Sequence, residues 1–211
     1  MASPLTVVRN DYHTNKKSST IYTPVGVAGF LFDILSNSMS YNIVRHPQFN
    51  TILDPAIGSG RLTDPWYRAG HIVIGCDLTR TVAACQEFIK GKFEDCTWYE
   101  DWPSPDLVLC NPPFNGAKGR RLYPEVFLEH IFKLFGPKIP VVLFVPMGFL
   151  KNQRRKSKRW RWLRDCGAEI TSIISLPLDT FDGVEFHCEI LLFNIAGVKP
   201  HYFLSEEALC K

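Results

Sequence analysis

Thr51-Ile52-Leu53-Asp54-Pro55-Ala56-Ile57-Gly58-Ser59-Gly60 is a short apolar run that ends on an acid and passes into a turn holding two glycines. The run suits a buried strand, and Pro55 stops it because proline has no N–H to give to a ladder. Gly58 and Gly60 allow a tight reversal of the main chain and leave space beside the backbone. A helical pattern near residues 61–69 follows. Strand, glycine turn and helix in that order form the unit from which a parallel sheet is built.

The same alternation recurs along the chain. Strands are expected at Thr51–Asp54, Ile72–Asp77, Thr97–Tyr99, Asp106–Cys110, Pro140–Val145, Ile170–Leu176 and Glu185–Ile195, with helical patterns near 61–69, 79–90, 122–135 and 153–165. Leu107-Val108-Leu109 and Val141-Val142-Leu143-Phe144-Val145 are continuous apolar runs, as in strands covered on both faces. The last two strands lack a helix-length segment between them, which predicts an antiparallel hairpin at the sheet edge. Upstream, Val27, Phe30, Leu31, Ile34 and Leu35 keep helical spacing after Thr23-Pro24, and proline is tolerated at a helix start. Residues 1–20 are polar and read as a flexible arm. The expected architecture is one α/β domain over residues 21–211, doubly wound, with helices on both faces.

Composition supports a packed domain: 211 residues, 45% hydrophobic, with 15 Phe, 7 Tyr and 5 Trp exceed what a disordered chain carries. The seven cysteines never form C-x-x-C, the six histidines show no ligand spacing, and neither a disulfide framework nor a metal site is expected. No apolar run is long enough to span a bilayer, and residues 1–10 lack signal-peptide character. A cytoplasmic location is the corresponding expectation. The net charge of +3 hides an asymmetry, because eight Lys or Arg and no acid lie between Lys151 and Arg164.

In an open parallel sheet the ligand crevice lies beyond the carboxyl ends of the strands. Asp54 ends the first strand, and Asp77 ends the second, 23 residues later. An acid in the second position suits the hydroxyls of a ribose. The glycine turn lacks the G-K-[ST] ending of a P-loop and does not complete G-x-G-x-x-G. A nucleoside-type cofactor is the reading these residues favour. Asp106–Cys110 runs into Asn111-Pro112-Pro113-Phe114, where two prolines fix φ and stiffen a turn that carries an amide and an aromatic ring.

These motifs, in this order, resemble S-adenosylmethionine-dependent amino-methyltransferases of the class I, Rossmann-like fold, and most of all DNA adenine-N6 methyltransferases. D-P-A-x-G-S-G at 54–60 is similar to their cofactor loop, Asp77 to their ribose-binding acid, and Asn111–Phe114 to their catalytic tetrapeptide. Tyr22-Thr23-Pro24 resembles the segment that meets the cofactor's methionine end, and Leu176-Pro177, Phe181 and Ile190–Phe193 resemble the closing hairpin. The resemblance implies a mostly parallel seven-stranded sheet and S-adenosyl-L-methionine as cofactor. It implies cofactor contacts from Tyr22, Thr23, Asp54, Pro55, Ala56, Gly58, Gly60, Asp77, Leu78, Asp101 and Asn111. It further implies that Asn111, Pro112, Pro113 and Phe114 form the catalytic turn, with Phe114 and Phe181 stacking on the two faces of a target base. Glu100 is the alternative to Asp101. Methyl transfer to adenine N6 in DNA, of the restriction–modification kind, is the expected activity. RNA adenine-N6 or guanine-N2 methylation, protein glutamine methylation and a catalytically silent nucleic-acid-binding subunit are the alternatives.

The basic stretch is expected to form a helix anchored by Trp160 and Leu163, with Arg154, Arg155, Lys158 and Arg159 turned outward to phosphates. Such contacts position a nucleic acid without reading its sequence. Only about 16 residues follow Ile195, too few for a further domain. No separate target-recognition domain is therefore expected, and a partner specificity subunit becomes one way of supplying recognition.

Overall fold

The computed structural model describes residues 21–37, 49–80, 83–114, 116–117, 121–151, 154, 156–181 and 187–205. The expected arm at 1–20, and Arg155, lie outside the described residues. α1 (Val25–Asn37) follows Pro24, whose carbonyl accepts the Ala28 N–H at 3.1 Å. Then come β1 (Thr51–Asp54), α2 (Asp64–Arg68), β2 (Ile72–Asp77), β3 (Glu87–Lys90) and β4 (Leu107–Cys110). A two-stranded hairpin, β5 (Gly116–Ala117) and β6 (Arg121–Leu122), leads into α3 (Tyr123–Phe135), β7 (Val141–Pro146) and α4 (Lys158–Asp165). The chain continues through β8 (Ile170–Ser175), β9 (Cys188–Phe193) and β10 (His201–Phe203).

Eight strands form one sheet in the order β10-β8-β9-β7-β4-β1-β2-β3. All neighbours are parallel except β9, which runs antiparallel to both β7 and β8. The mostly parallel Rossmann-like sheet with an antiparallel C-terminal pair is thus present, with eight strands where seven were expected. Strand side chains alternate between two core layers. Ile52, Val73, Leu107 and Leu109 face α1 and Trp66 of α2, while Leu53, Ile74, Val108 and Cys110 face Phe127, Leu128, Ile131 and Phe132 of α3.

Four expectations need correction. The helix expected at 79–90 is replaced in its last part by edge strand β3, and 97–99 is not a strand. Glu87-Phe88-Ile89-Lys90 has charged ends and only half-buried apolar residues between them, the mark of an edge strand rather than a central one. The closing hairpin is not at the edge: β9 inserts between β7 and β8, and β10, pairing parallel with β8, forms that edge. The basic helix begins at Lys158 rather than 153, because the Ser157 hydroxyl caps it by accepting the Trp160 N–H at 3.2 Å. Among the described residues, no helix is long and apolar enough to cross a membrane.

Candidate functional site

The sheet reverses its strand order between β1 and β4, and the carboxyl ends of β1, β2 and β4 open there onto a cavity of about 290 Å³. That is where an open α/β sheet receives a ligand. The turn after β1 is bound to the end of β2 by the Ile57 N–H, which donates to the Cys76 carbonyl at 3.0 Å. The Gly58 N–H donates to Asp77 Oδ2 at 2.9 Å, placing the β2 carboxylate against the glycine turn. Gly58 and Gly60 have φ of 51° and 77°, in the region that disfavours other residues. A Cβ on Gly58 would lie 3.2 Å from the Tyr22 ring, and one on Gly60 would lie 2.8 Å from the Ala83 side chain. The two glycines therefore serve different contacts: Gly58 the cavity wall, Gly60 the packing behind it.

Asp54 is almost fully buried at the end of β1, where its Oδ1 accepts the Ala56 N–H at 3.0 Å. Burial pushes its carboxyl up to about 8, the Ala56 N–H opposes that rise, and the Asp77 charge adds to it. A positive group in the cavity would favour the ionised form of this acid.

Asn111 follows β4, and its Nδ2 donates to the Thr23 hydroxyl at 3.0 Å. Thr23 itself is buried just ahead of α1. An amide whose NH2 is engaged on one side presents its oxygen as an acceptor on the other. Pro112 is buried, Pro113 exposed and Phe114 half-buried, so the rigid turn directs its aromatic ring along the cavity wall.

Most residues singled out in the sequence converge on this space: Tyr22, Thr23, Asp54, Ala56, Gly58, Asp77, Leu78, Asn111, Pro112, Pro113, Phe114 and Phe181 all line it. Phe181 does so from the core, packed edge-on to Phe144 with ring centroids 6.4 Å apart. Pro55 and Gly60 shape the turn from outside the lining. Asp101 is not brought in. It is exposed on the turn at 99–102, where the Trp102 N–H donates to the Tyr99 carbonyl at 3.1 Å, and it is not among the residues that line the cavity. The lining also takes in Ser59 and Arg61, which adjoin the glycines in sequence and could have been found by extending the motif by one residue.

The basic segment requires a second correction. Arg159 is buried, not outward-facing. Its Nη2 and Nε donate to Glu125 Oε2 at 2.7 and 3.0 Å, and its Nη1 donates to the Phe149 carbonyl at 2.9 Å. The guanidinium also lies 4.6 Å from the Phe149 ring centroid. Trp160 is exposed, whereas Leu163 is buried and Trp162 packs on Phe132 with centroids 5.9 Å apart. Lys151, at the start of the segment, pairs with the buried Glu189 at 2.8 Å. Arg154, Lys156, Lys158, Arg161 and Arg164 remain exposed, and of these only Arg164 has an acid within ion-pair distance among the described residues, Asp165 at 2.9 Å. No group of three potential metal-ligating side chains occurs among the described residues.

The sequence matches no protein-family model. It also matches no curated protein. Solved structures do share the fold. A methyltransferase subunit of a type I restriction–modification system from Streptococcus thermophilus is similar over 90% of this chain and 51% of its own, with 16% identity and a TM-score of 0.63. A chain from a type I restriction–modification complex is 20% identical over 87% of this chain and 45% of its own, also with a TM-score of 0.63. A Listeria monocytogenes protein described as a class I S-adenosylmethionine-dependent methyltransferase is 15% identical, covering 90% of this chain and 67% of its own, with a TM-score of 0.62. This chain spans about half the length of the first two. The likeness establishes the class I methyltransferase fold.

Proposed function

We propose that this chain binds S-adenosyl-L-methionine and transfers its methyl group to an exocyclic amino group of a nucleic-acid base, adenine N6 in DNA being the favoured target. The observation that carries the reading is the Asn111–Thr23 hydrogen bond, which orients a side-chain amide at the wall of the cavity that Asp77 and the glycine turn also line. The donor set fits such a cofactor: Asp77 for ribose hydroxyls, a glycine turn in which a Cβ on Gly58 would crowd the Tyr22 ring, and Asp54 to balance positive charge. When bound, the cofactor supplies an electrophilic methyl group on sulfur.

The chain's own residues then position the acceptor. Asn111 Oδ1 and the Pro112 carbonyl accept the two N–H bonds of the target amino group, which turns the nitrogen lone pair toward the methyl. Phe114 stacks on one face of the base and Phe181 borders the other. Positioning and preorganised acceptors are the main catalytic terms, since no covalent intermediate is needed. On duplex DNA the base must leave the stack to reach this cavity. The exposed cations Arg154, Lys156, Lys158 and Arg161 hold the phosphate backbone in this reading.

Residues 21–211 act as one catalytic domain in this proposal, and a separate specificity subunit supplies target recognition. The similar structure described as the methyltransferase subunit of a type I restriction–modification system, and the one described by the assembly of such a system, support that arrangement. The deciding experiment is transfer of a tritiated methyl group from S-adenosylmethionine onto DNA, RNA and protein pools, by wild type and by Asn111→Ala. Label on DNA that depends on Asn111 supports the proposal. Label on RNA or protein alone would replace the substrate, and equal labelling by both proteins would remove Asn111 from catalysis.

A further inference from the structure

Among the described residues, the cavity lining holds two carboxylates, Asp54 and Asp77, and one cation, Arg61. Arg61 directly follows Gly60, whose φ of 77° redirects the chain after the glycine turn. Its guanidinium lies 5.8 Å from the centroid of the Tyr22 ring, and Tyr22 in turn covers Gly58. No acid among the described residues lies within ion-pair distance of Arg61. A guanidinium held over an aromatic ring at a cavity wall, with no protein acid to neutralise it, is suited to a planar carboxylate from a ligand.

Charge decides where such a carboxylate can sit. Next to Asp54 or Asp77 it would meet a like charge, or a carboxyl that must keep its proton. Beside Arg61 it meets the one positive side chain that the described residues bring to the lining. Asp77 reaches the glycine turn from β2, whereas Arg61 is held against Tyr22, which reaches that turn from ahead of α1, so the acid and the cation are fixed by different elements. A nucleoside whose ribose engages Asp77 while its tail carries an α-carboxylate matches this distribution. A nucleoside without that carboxylate leaves Arg61 unused.

We propose that Arg61 is a specificity-determining residue that recognises the α-carboxylate of an aminoacyl nucleoside, so that the cavity selects S-adenosyl amino acids over nucleosides lacking that group. The proposal rests on the cofactor reading above and names the group of the cofactor that this residue reads. Arg61 is exposed, so its contribution is screened by salt. It acts on binding rather than on the transferring methyl.

Calorimetry on the full chain with two ligands tests this: S-adenosylhomocysteine, which carries the carboxylate, and 5′-methylthioadenosine, which lacks it. Arg61→Met weakens the first about tenfold, as expected for loss of a charge-assisted contact, and leaves the second within about twofold. Arg61→Lys retains part of the preference, because the charge remains and the planar fork is lost. Equal weakening of both ligands would make Arg61 merely structural and overturn the proposal, as would unchanged affinity for S-adenosylhomocysteine. Failure of wild type to bind either nucleoside would instead bring down the cofactor reading and this proposal with it.

Discussion

Asn111 and Thr23, 88 residues apart in the chain, are joined by a 3.0 Å hydrogen bond in which the amide Nδ2 donates to the threonine hydroxyl. Thr23 precedes α1 and Asn111 follows β4. The bond therefore ties the start of the first helix to the turn at the centre of the sheet, with the amide NH2 toward Thr23.

Thr23→Val removes the acceptor while keeping the shape. The Asn111 amide then loses its orientation, and in the proposed reaction methyl transfer in single turnover falls about tenfold, in line with the cost of misplacing a reacting group. Thr23→Ser keeps the hydroxyl and recovers most of the rate. Cofactor affinity changes less than the rate does, because Thr23 acts through Asn111. A Thr23→Val rate equal to wild type would remove the orienting role.

In the proposed function Asp77 makes two separable contributions. Asp77→Asn keeps an oxygen for the Gly58 N–H, now at 2.9 Å, but loses the charge-assisted acceptor for ribose hydroxyls. Asp77→Ala loses both. Calorimetry with S-adenosylhomocysteine should show Asn weakening binding severalfold and Ala weakening it by more than about tenfold. Affinity unchanged by alanine refutes the ribose assignment.

How far the sequence reveals this site depends on whether a residue's role is local or distant. β1 and β2 have the bounds their apolar runs predict, and Asp54, Gly58, Asp77 and Asn111 line one cavity because each ends or follows a central strand. Two of the strands escaped because they are short edges. Glu87–Lys90 alternates too little to stand out, and His201–Phe203 leaves Phe203 exposed. Arg159 misled for another reason. Its partners, Glu125 and the Phe149 carbonyl, belong to other elements, and no spacing within the helix tells a guanidinium with a buried acid from one facing water.

The ionisation of Asp54 makes stability depend on pH. Its ordinary value is 3.8, and in the folded chain it is pushed up to about 8. Between those values the folded state holds a proton that the unfolded chain has released, so stability falls as pH rises through that window. Asp54→Asn can still accept the Ala56 N–H and does not titrate. Wild type should therefore lose melting temperature relative to Asp54→Asn between pH 5 and pH 8. Parallel melting curves across this range would show that the carboxyl is not held protonated.

Arg159 is a stability residue in this structure. Arg159→Met strands Glu125 in the core with only Arg121, whose Nε is 3.9 Å from its Oε1, and unpairs the Phe149 carbonyl. Removing one partner of a buried ion pair costs about 3–5 kcal/mol, a large share of a domain's stability. Urea unfolding should give a lower midpoint with an unchanged slope. Arg161→Ala, on the exposed face of the same helix, should change the midpoint little.

That contrast decides how the phosphate-binding hypothesis must be tested. Replacing Arg159 along with its neighbours would lower the folded fraction together with any phosphate contact, and the result would say nothing about phosphates. The informative set is Arg154, Lys156, Lys158 and Arg161, which are exposed and have no acid within ion-pair distance among the described residues. Neutralising them to glutamine should leave the urea midpoint nearly unchanged while weakening DNA binding. If each meets one phosphate, the slope of log affinity against log salt should become shallower by about 0.9 per residue replaced. A loss of affinity at constant slope would place the polyanion footprint elsewhere on the chain, because releasing fewer counterions is the one consequence that a phosphate contact cannot avoid.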